Sequence, residues 1–280
     1  MDWYQDWQDH RHAVAFDTYA RLDRRNLIRT YEGFNDVRLL NTCIVPDRPL
    51  TLLEVGCATG EFYRYLKMKY PLVRYYGIDI SRPTIARAKT KYPDGTFVVT
   101  DPGLRLDGGC RTLGLPERPE VVYARDVIPH QTAPYEFLAD LIRVASEAII
   151  IRCRTRDVGQ TEFNPELSCQ YHYDGWMPYI VLNLQELLDR IRSEAPGCGV
   201  VAYRNHMVLG GWYNRFVPKE LYLKETGTAE TAVGIFKRTA QAGTVTIEDR
   251  IDHNPCYTWD YLLKHAARQM VDGFKVAHHD

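Results

Sequence analysis

The sequence has no apolar run long enough to span a membrane, for which about 20 residues are needed. Its first residues, Met1 to Asp6, are acidic and aromatic, unlike a signal peptide. Lysine and arginine number 35 against 36 aspartate and glutamate, so the net charge of −1 provides no general attraction to nucleic acid or anionic lipid. We therefore expect a cytoplasmic protein with neither membrane nor nucleic-acid partners.

The seven cysteines include no C-x-x-C pair, and no group of residues has zinc-ligand spacing. An odd number of scattered cysteines is typical of reduced thiols rather than of a disulfide framework. We expect no bound metal. The 280 residues, 45% hydrophobic and 25% charged, suit an ordinary globular protein with one sizeable α/β domain and additions, or two small domains.

What the sequence does contain is a glycine-rich turn between a strand and a helix. Leu52 to Val55 predict a short buried strand, and a helix is predicted from Glu61 to Tyr70, before Pro71. Glycine tolerates positive φ and lets a ligand approach the backbone, while the first N–H groups of the helix face that ligand. Glu54 places a negative charge at the lip of this crevice.

Two cofactors are commonly held on such a turn, a dinucleotide and S-adenosylmethionine. The dinucleotide fingerprint G-x-G-x-x-G/A needs a small third residue, but the three positions here carry Gly56, Ala58 and Glu61. Glu54 beneath the turn would repel a pyrophosphate and attract a sulfonium and an ammonium. The turn resembles motif I, E/D-x-G-x-G-x-G, of the class I S-adenosylmethionine-dependent methyltransferases, with Ala58 in place of the middle glycine.

A second strand, predicted at residues 73–81, ends in Asp79 about twenty residues after the turn. A carboxylate there can accept hydrogen bonds from both ribose hydroxyls, although such a residue is often only a helix cap. Asp101, after the third strand, matches the acid that bonds the adenine amino group in this family, or opens an Asp-Pro turn. The resemblance implies S-adenosylmethionine as cofactor, bound by Glu54, Gly56, Cys57, Ala58, Thr59, Gly60, Asp79, Ile80, Ser81, Asp101, Pro102, Arg125 and Asp126.

The same resemblance implies an α/β fold with a doubly wound, mostly parallel sheet of seven strands in the order 3-2-1-4-5-7-6. The later strands are predicted at 96–100, 120–124, 148–156, 200–205 and 231–237, with a Gly/Pro-rich loop at 102–119. This divides the chain into an N-terminal helical cap, a methyltransferase core and a C-terminal extension, at 1–49, 50–239 and 240–280. The extension contains a possible strand at 244–247 and an amphipathic helix at 258–271, and is a cover or a homodimer contact.

The N-terminal cap is predicted to hold two helices, broken near Asn26 or Gly33, because its apolar residues recur at helical intervals. In proteins of this family such helices form a lid over the cofactor, which makes Tyr19 and Tyr31 candidates for substrate contact. The alternative is a helix packed on the edge of the sheet.

His130 follows the fourth strand by a few residues, where ligands bind in folds of this kind. The segment lacks the D/N/S-P-P-Y/F/W form of enzymes that methylate exocyclic amines of DNA bases and resembles the small-molecule pattern. With a pKa near neutrality, His130 could remove a proton from an attacking hydroxyl or amine. A structural histidine is the alternative.

Arg152, Arg154 and Arg156 lie on one face of the fifth strand if that strand continues to its last arginine. Three guanidinium groups there predict an anion site for a substrate carboxylate or phosphate. Alternatively the strand ends near Arg152 and the other two are solvated or paired with Asp157 and Glu162.

The connection at 157–182 is long and aromatic, which favours a substrate pocket wall over a linker, the alternative being a small core beneath the loop. It supplies Tyr171 and His172 as further candidates for proton transfer, and Tyr173 and Trp176 as substrate contacts. The function indicated is methylation of O or N on a small polar or anionic metabolite, such as a sugar or secondary-metabolite intermediate. An RNA or protein methyltransferase and a non-catalytic S-adenosylmethionine-binding module remain the alternatives.

Overall fold

The computed structural model describes residues 3–17, 19–102, 105–172, 175–206, 215–218, 221, 227–237 and 243–252. Within them, five parallel strands build the centre of a large sheet: β1 (Leu50–Val55), β2 (Val73–Asp79), β3 (Thr96–Val99), β4 (Val121–Arg125) and β5 (Ala148–Arg156). Later strands are β6 (Cys169–His172), β7 (Gly175–Pro178), β8 (Leu182–Asn183), β9 (Gly199–His206), β10 (Arg215–Phe216), β11 (Thr228–Phe236) and β12 (Val245–Asp249).

Eight α-helices accompany these strands in the described residues: α1 (His10–Ala15), α2 (Arg24–Glu32), α3 (Asn35–Asn41), α4 (Glu61–Lys69), α5 (Arg82–Lys91), α6 (Leu106–Thr112), α7 (Pro134–Val144) and α8 (Leu184–Glu194). Short 3-10 helices cover Trp3–Gln8 and Ile128–His130. None of the described helices is both long and apolar enough to cross a lipid bilayer.

The sheet carries helices on both faces, as its hydrophobic pattern requires. Leu52 packs into one buried cluster with α2 to α5, and its neighbour Leu53 packs into a second cluster with α6 to α8. Strands buried on both faces are typical of parallel sheets, and Ala148 to Ile151 of β5 are accordingly an unbroken apolar run.

The strand order is β3-β2-β1-β4-β5-β11-β9-β12, with β8 beside β5. Its first seven strands confirm the predicted α/β sheet and its order, and β11 runs antiparallel to both neighbours. Over the described residues the sheet has nine strands rather than seven, because β12 pairs parallel with β9 and β8 pairs with β5. β12 falls on the segment where a possible strand was expected in the C-terminal extension.

Three local predictions are corrected. The loop expected at 102–119 contains α6, because Leu106 and Cys110 bury one face of a helix despite the two glycines between them. The described residues before β1 form three α-helices, α1 to α3, rather than two; of the two predicted break positions Gly33 is confirmed, since Asn26 lies inside α2, whose cap is Asp23. The connection at 157–182 is no simple loop, since β6, β7 and β10 form a separate antiparallel sheet.

The predicted helix at 258–271 lies outside the described residues. The proposed division of the chain into cap, core and extension stays a prediction.

Candidate functional site

The turn after β1 has the backbone geometry that its glycines indicate. Gly56 and Gly60 have φ of +78° and +77°, and Ala58 has φ of +46°, a left-handed conformation that is costly for a residue with a Cβ. The N–H groups of Gly56 and Cys57 donate to the Ile78 carbonyl at 2.8 and 3.0 Å, which fixes the turn to β2. A Cβ on Gly56 would overlap the Val127 side chain. The position is therefore closed to larger residues.

Asp79 holds the two loops that surround it. Its Oδ2 accepts a hydrogen bond from the Ala58 N–H and its Oδ1 one from the Ser81 N–H, both at 2.9 Å. Burial raises the pKa of Asp79 above its ordinary value, against the effect of these backbone donors. Each carboxylate oxygen can still accept one more hydrogen bond, so the residue can orient the turn and bind a ligand hydroxyl together.

Glu54 is not a charge at the lip of the crevice, as expected from the sequence. Its side chain is buried at the end of β1 and accepts a hydrogen bond from the Tyr75 hydroxyl. Desolvation raises the pKa of Glu54 to about 8, so the carboxyl group is mostly protonated at neutral pH. A cationic ligand beside it would favour the ionised form.

A cavity of about 410 Å³ opens over this turn, within the usual size range of small-ligand sites. All the cofactor residues predicted from the sequence line it except Gly60, and so do Tyr19, Tyr31, His130 and Arg152. Lining residues that sequence reasoning missed include Tyr4, Trp7, Phe16, Glu61, Gln131 and Phe137.

The aromatic lining residues Tyr4, Trp7, Phe16 and Tyr19 belong to the N-terminal strap, by which we mean residues 3–17 and 19–22. Arg64 of α4 fastens this strap by donating to three of its carbonyls, those of Tyr19, Ala20 and Leu22, at 3.3, 3.2 and 2.7 Å.

Two further contacts hold the strap close to the cofactor turn. The Thr59 hydroxyl of the turn donates to the Phe16 carbonyl at 3.3 Å, and Gln8 Nε2 donates to the Ile80 carbonyl at 2.9 Å. The strap therefore covers the turn in the structure. In the sequence, the cluster of Trp3, Tyr4 and Trp7 at the start of the chain was the feature from which this strap could have been predicted.

His130 lies at the end of the short helix after β4 and lines the cavity. Its Nδ1 lies 2.8 Å from the Pro178 carbonyl oxygen, which can only accept, so Nδ1 carries the proton and Nε2 is the acceptor. Burial, with the positive charges of Arg154 and Arg215, lowers the pKa of His130 to about 4, although the Pro178 contact and Asp126 oppose the shift. The expectation of a pKa near neutrality is therefore corrected, and the imidazole is neutral at pH 7.

The predicted arginine row is present, since β5 continues to Arg156, but the charges of Arg152 and Arg154 are paired. Asp126, which has φ of +57°, accepts hydrogen bonds from Arg152 and from Arg154. Arg154 also pairs with Glu230 at 2.8 Å. Arg156 donates to the Val158 carbonyl at 2.6 Å.

The counterions differ from those considered from the sequence. Asp157 pairs with Arg204 at 2.9 Å, and a Glu162 oxygen accepts a hydrogen bond from the Asn164 N–H. The residues that pair with Arg152 and Arg154 are instead Asp126, which is 26 and 28 residues away in the chain, and Glu230 on an adjacent strand. Arg152 lines the cavity, whereas Arg154 is not among the lining residues.

The candidates from the aromatic connection lie in the second sheet. Tyr171 and Trp176 contact each other, with ring centroids 5.0 Å apart, and Trp176 also contacts Phe216 at 5.2 Å. Neither Tyr171 nor Trp176 is among the lining residues of the cavity. His172 ends β6, and Tyr173 lies outside the described residues.

A family model described as a methyltransferase domain matches residues 53–149, from β1 into β5. This segment contains the cofactor turn, Asp79 and His130. The chain carries a class I S-adenosylmethionine-dependent methyltransferase domain. S-adenosylmethionine is accordingly the cofactor of this methyltransferase. No curated protein matches the sequence.

Solved structures share the fold of this methyltransferase at low sequence identity. The N-terminal domain of EvdMO1, in the presence of S-adenosylhomocysteine and D-fucose, has a TM-score of 0.51 and 14% identity over 78% of this chain and 98% of that one. The plantazolicin methyltransferase BpumL was solved in complex with a pentazolic desmethylPZN analogue and S-adenosylhomocysteine. It has a TM-score of 0.50 and 18% identity over 84% of this chain and 93% of that one. The cyclase SpnF has a TM-score of 0.50 and 14% identity over 72% of this chain and 80% of that one. Since a cyclase is among them, these likenesses show the fold alone.

Two polar atoms of the cavity residues suit this cofactor. Ser81 Oγ and Glu61 Oε2 are both buried and have no hydrogen-bond partner. An unsatisfied buried polar atom costs about 1–3 kcal/mol, so each is a position at which a ligand group can be accommodated. The cofactor offers ribose hydroxyls and an ammonium group, which are donors of the kind that a carboxylate and a hydroxyl oxygen accept. The described residues contain no group of three His, Cys, Asp or Glu able to hold a metal ion.

Proposed function

We propose that this methyltransferase acts on an O or N atom of a small polar molecule. The observation that carries the proposal is the position of His130, which lines the same cavity as the cofactor turn and whose Nδ1 is held by the Pro178 carbonyl. A neutral imidazole with a fixed tautomer can accept the proton of an attacking hydroxyl or amine without first losing one of its own.

In this proposal the cofactor is held by the turn at 56–60, by Asp79 at the ribose, and by Glu54, Ser81 and Asp101 nearby. S-adenosylmethionine, when bound, supplies a methyl group already activated on a sulfonium. The protein then contributes positioning of the acceptor and exclusion of water. The N-terminal strap suits both tasks, because it covers the turn and supplies aromatic lining residues.

The charge distribution supports a polar acceptor more than an anionic one. Asp126 pairs with both Arg152 and Arg154, so an acceptor carboxylate or phosphate would compete with a carboxylate already in place. The net charge of −1 gives little support to a nucleic-acid substrate. A cytoplasmic location belongs to the same proposal, and the six free cysteines of the described residues suit it.

The experiment is incubation of the protein with methyl-labelled cofactor and separate small-molecule, RNA and protein extracts. We expect label in the small-molecule fraction, and about a hundredfold or greater loss in His130→Gln, with binding of S-adenosylhomocysteine unchanged. The control is His206→Gln, since His206 lies on β9 and does not line the cavity.

Label in RNA or in protein would replace the proposal with one of those acceptors. Binding of S-adenosylhomocysteine without transfer to any fraction would favour a non-catalytic module.

A further inference from the structure

Aromatic rings form part of the cavity wall. Tyr4, Trp7, Phe16 and Tyr19 of the strap and Phe137 of α7 line it together with His130. The Trp7 ring stands edge-on to the His130 imidazole, with centroids 5.2 Å apart. Phe16 lies nearly parallel to Trp7, at 6.4 Å and 18° between the ring planes. Flat aromatic surfaces of this kind gain most from a flat ligand, because stacked and edge-on contacts add to the area buried.

The guanidinium groups of Arg125, Arg152 and Arg154 are compensated by carboxylates. Asp126 pairs with Arg152 and Arg154, and Glu230 pairs with Arg154 again. Arg125 lies 3.6 Å from Asp36, and its guanidinium also stacks over the Phe34 ring, 3.9 Å from the centroid. Three guanidinium groups therefore face three carboxylates. These three guanidinium groups therefore offer no unpaired positive charge to an anionic acceptor, and the guanidinium of Arg215, which also acts on His130, packs over the Tyr179 ring.

The imidazole of His130 is a weak base. Because burial lowers its pKa to about 4, it removes a proton more readily from an acidic hydroxyl than from a weakly acidic one. A phenolic hydroxyl, with an ordinary pKa near 10, suits it far better than an aliphatic hydroxyl, whose pKa lies close to that of water at roughly 16.

We infer that the acceptor is an uncharged planar aromatic compound with a phenolic hydroxyl, held against the rings of the strap with that hydroxyl toward His130. The inference rests on the proposed function and narrows its acceptor. In the reaction the phenol oxygen forms the new C–O bond, the electron pair of the broken S–C bond stays on sulfur, and the hydroxyl proton passes to Nε2. Trp7 is then a specificity-determining residue.

The test measures binding rather than turnover. Calorimetry on the full chain, saturated with S-adenosylhomocysteine, compares 2-naphthol with its saturated counterpart decahydro-2-naphthol and with its charged counterpart 6-hydroxy-2-naphthoate. We expect 2-naphthol to bind at least tenfold more tightly than either. Equal or tighter binding of the saturated alcohol or of the carboxylate would overturn the inference, as would no binding of 2-naphthol.

Variants locate the binding surface. Trp7→Leu is expected to weaken 2-naphthol binding about tenfold and to leave S-adenosylhomocysteine binding unchanged, whereas Trp7→Phe, which keeps a ring, retains most of the affinity. The matched control is Trp176→Leu, since Trp176 is 42% exposed and does not line the cavity. An equal effect of Trp7→Leu and Trp176→Leu would reject the assignment. Should Trp7→Leu unfold the strap, Trp7→Phe and Phe137→Leu provide the same comparison.

The binding measurement separates this inference from the proposed function. Selective binding of 2-naphthol without methyl transfer from the labelled cofactor would reject the proposed function and keep the aromatic site. Methyl transfer to aliphatic or anionic acceptors, without selective binding of 2-naphthol, would support the proposed function and reject the inference of a phenolic acceptor.

Discussion

Replacing Glu54 with glutamine should stabilise the protein without its cofactor and weaken its binding of that cofactor. Glu54 is 5% exposed, and its pKa is raised from 4.5 to about 8 by burial. Glutamine keeps an oxygen that accepts the Tyr75 hydrogen bond but carries no charge to desolvate. The variant therefore removes a cost of folding that grows with pH.

The sign and size of the effect follow from linkage. The folded protein binds the Glu54 proton more tightly than the unfolded chain, so this group lowers the free energy of unfolding as pH rises from 4.5 to about 8. At about 1.4 kcal/mol per pKa unit, the full cost reaches roughly 5 kcal/mol above pH 8. Between pH 5 and pH 9, the stability advantage of Glu54→Gln should grow by roughly 4 kcal/mol.

The assay is chemical denaturation of both proteins without cofactor at pH 5, 7 and 9. All other titrating groups are common to the two proteins. The difference between their free energies of unfolding therefore reports on Glu54 alone. Parallel pH profiles, with a change in the difference below about 1 kcal/mol, would refute the reasoning.

The cofactor arm of the same comparison uses calorimetry. Hydrogen bonds to charged groups contribute about 1.5–3 kcal/mol, so Glu54→Gln should bind S-adenosylhomocysteine roughly 10- to 150-fold more weakly. Binding to the native protein at pH 7.5 should release up to one proton, because the ligand ammonium favours ionised Glu54, and the variant should release none. Equal proton release by both proteins would contradict the role of Glu54.

Three further predictions concern the same site. Ala58→Gly should raise the free energy of unfolding by about 0.5–1 kcal/mol, because φ of +46° is strained for alanine, and denaturation that shows a loss instead would contradict this. Asp126→Asn should lower the free energy of unfolding by about 3–5 kcal/mol, since Arg152 and Arg154 lose their shared carboxylate, whereas an effect below 1 kcal/mol would show that water replaces it. Methyl transfer should retain its rate from pH 7 down to pH 5, because the lowered pKa of His130 keeps the imidazole neutral above about 4; a fall centred near pH 6.5 would show an ordinary histidine.

The cofactor half of the site could be predicted from the sequence because it is local. A strand, a glycine turn and a helix lie within about twenty residues, and the position of Asp79 follows from the regular spacing of parallel strands. The strand order could be predicted because this local motif resembles that of a family whose strand order is known. The added pairing of β8 with β5 had no such signal, since β8 is two residues long.

The acceptor half depends on contacts between distant parts of the chain. Trp7 meets His130 across more than a hundred residues, and Glu230 reaches Arg154 through the pairing of β11 with β5. The alternation of a strand and the charge of its arginines indicated an anion site on β5, but which carboxylates lie opposite the arginines is decided by contacts between distant parts of the chain. The pKa of His130 and of Glu54 depends on burial, which a sequence pattern does not measure.

The most direct measurement is calorimetric titration of the full chain with S-adenosylhomocysteine, and with NAD for comparison. We predict one S-adenosylhomocysteine bound per chain and no binding of NAD. We also predict loss of binding in folded Gly56→Ala, whose added methyl group would overlap Val127. No heat with S-adenosylhomocysteine, or its displacement by NAD, would contradict the assignment of the turn at 56–60 to this cofactor.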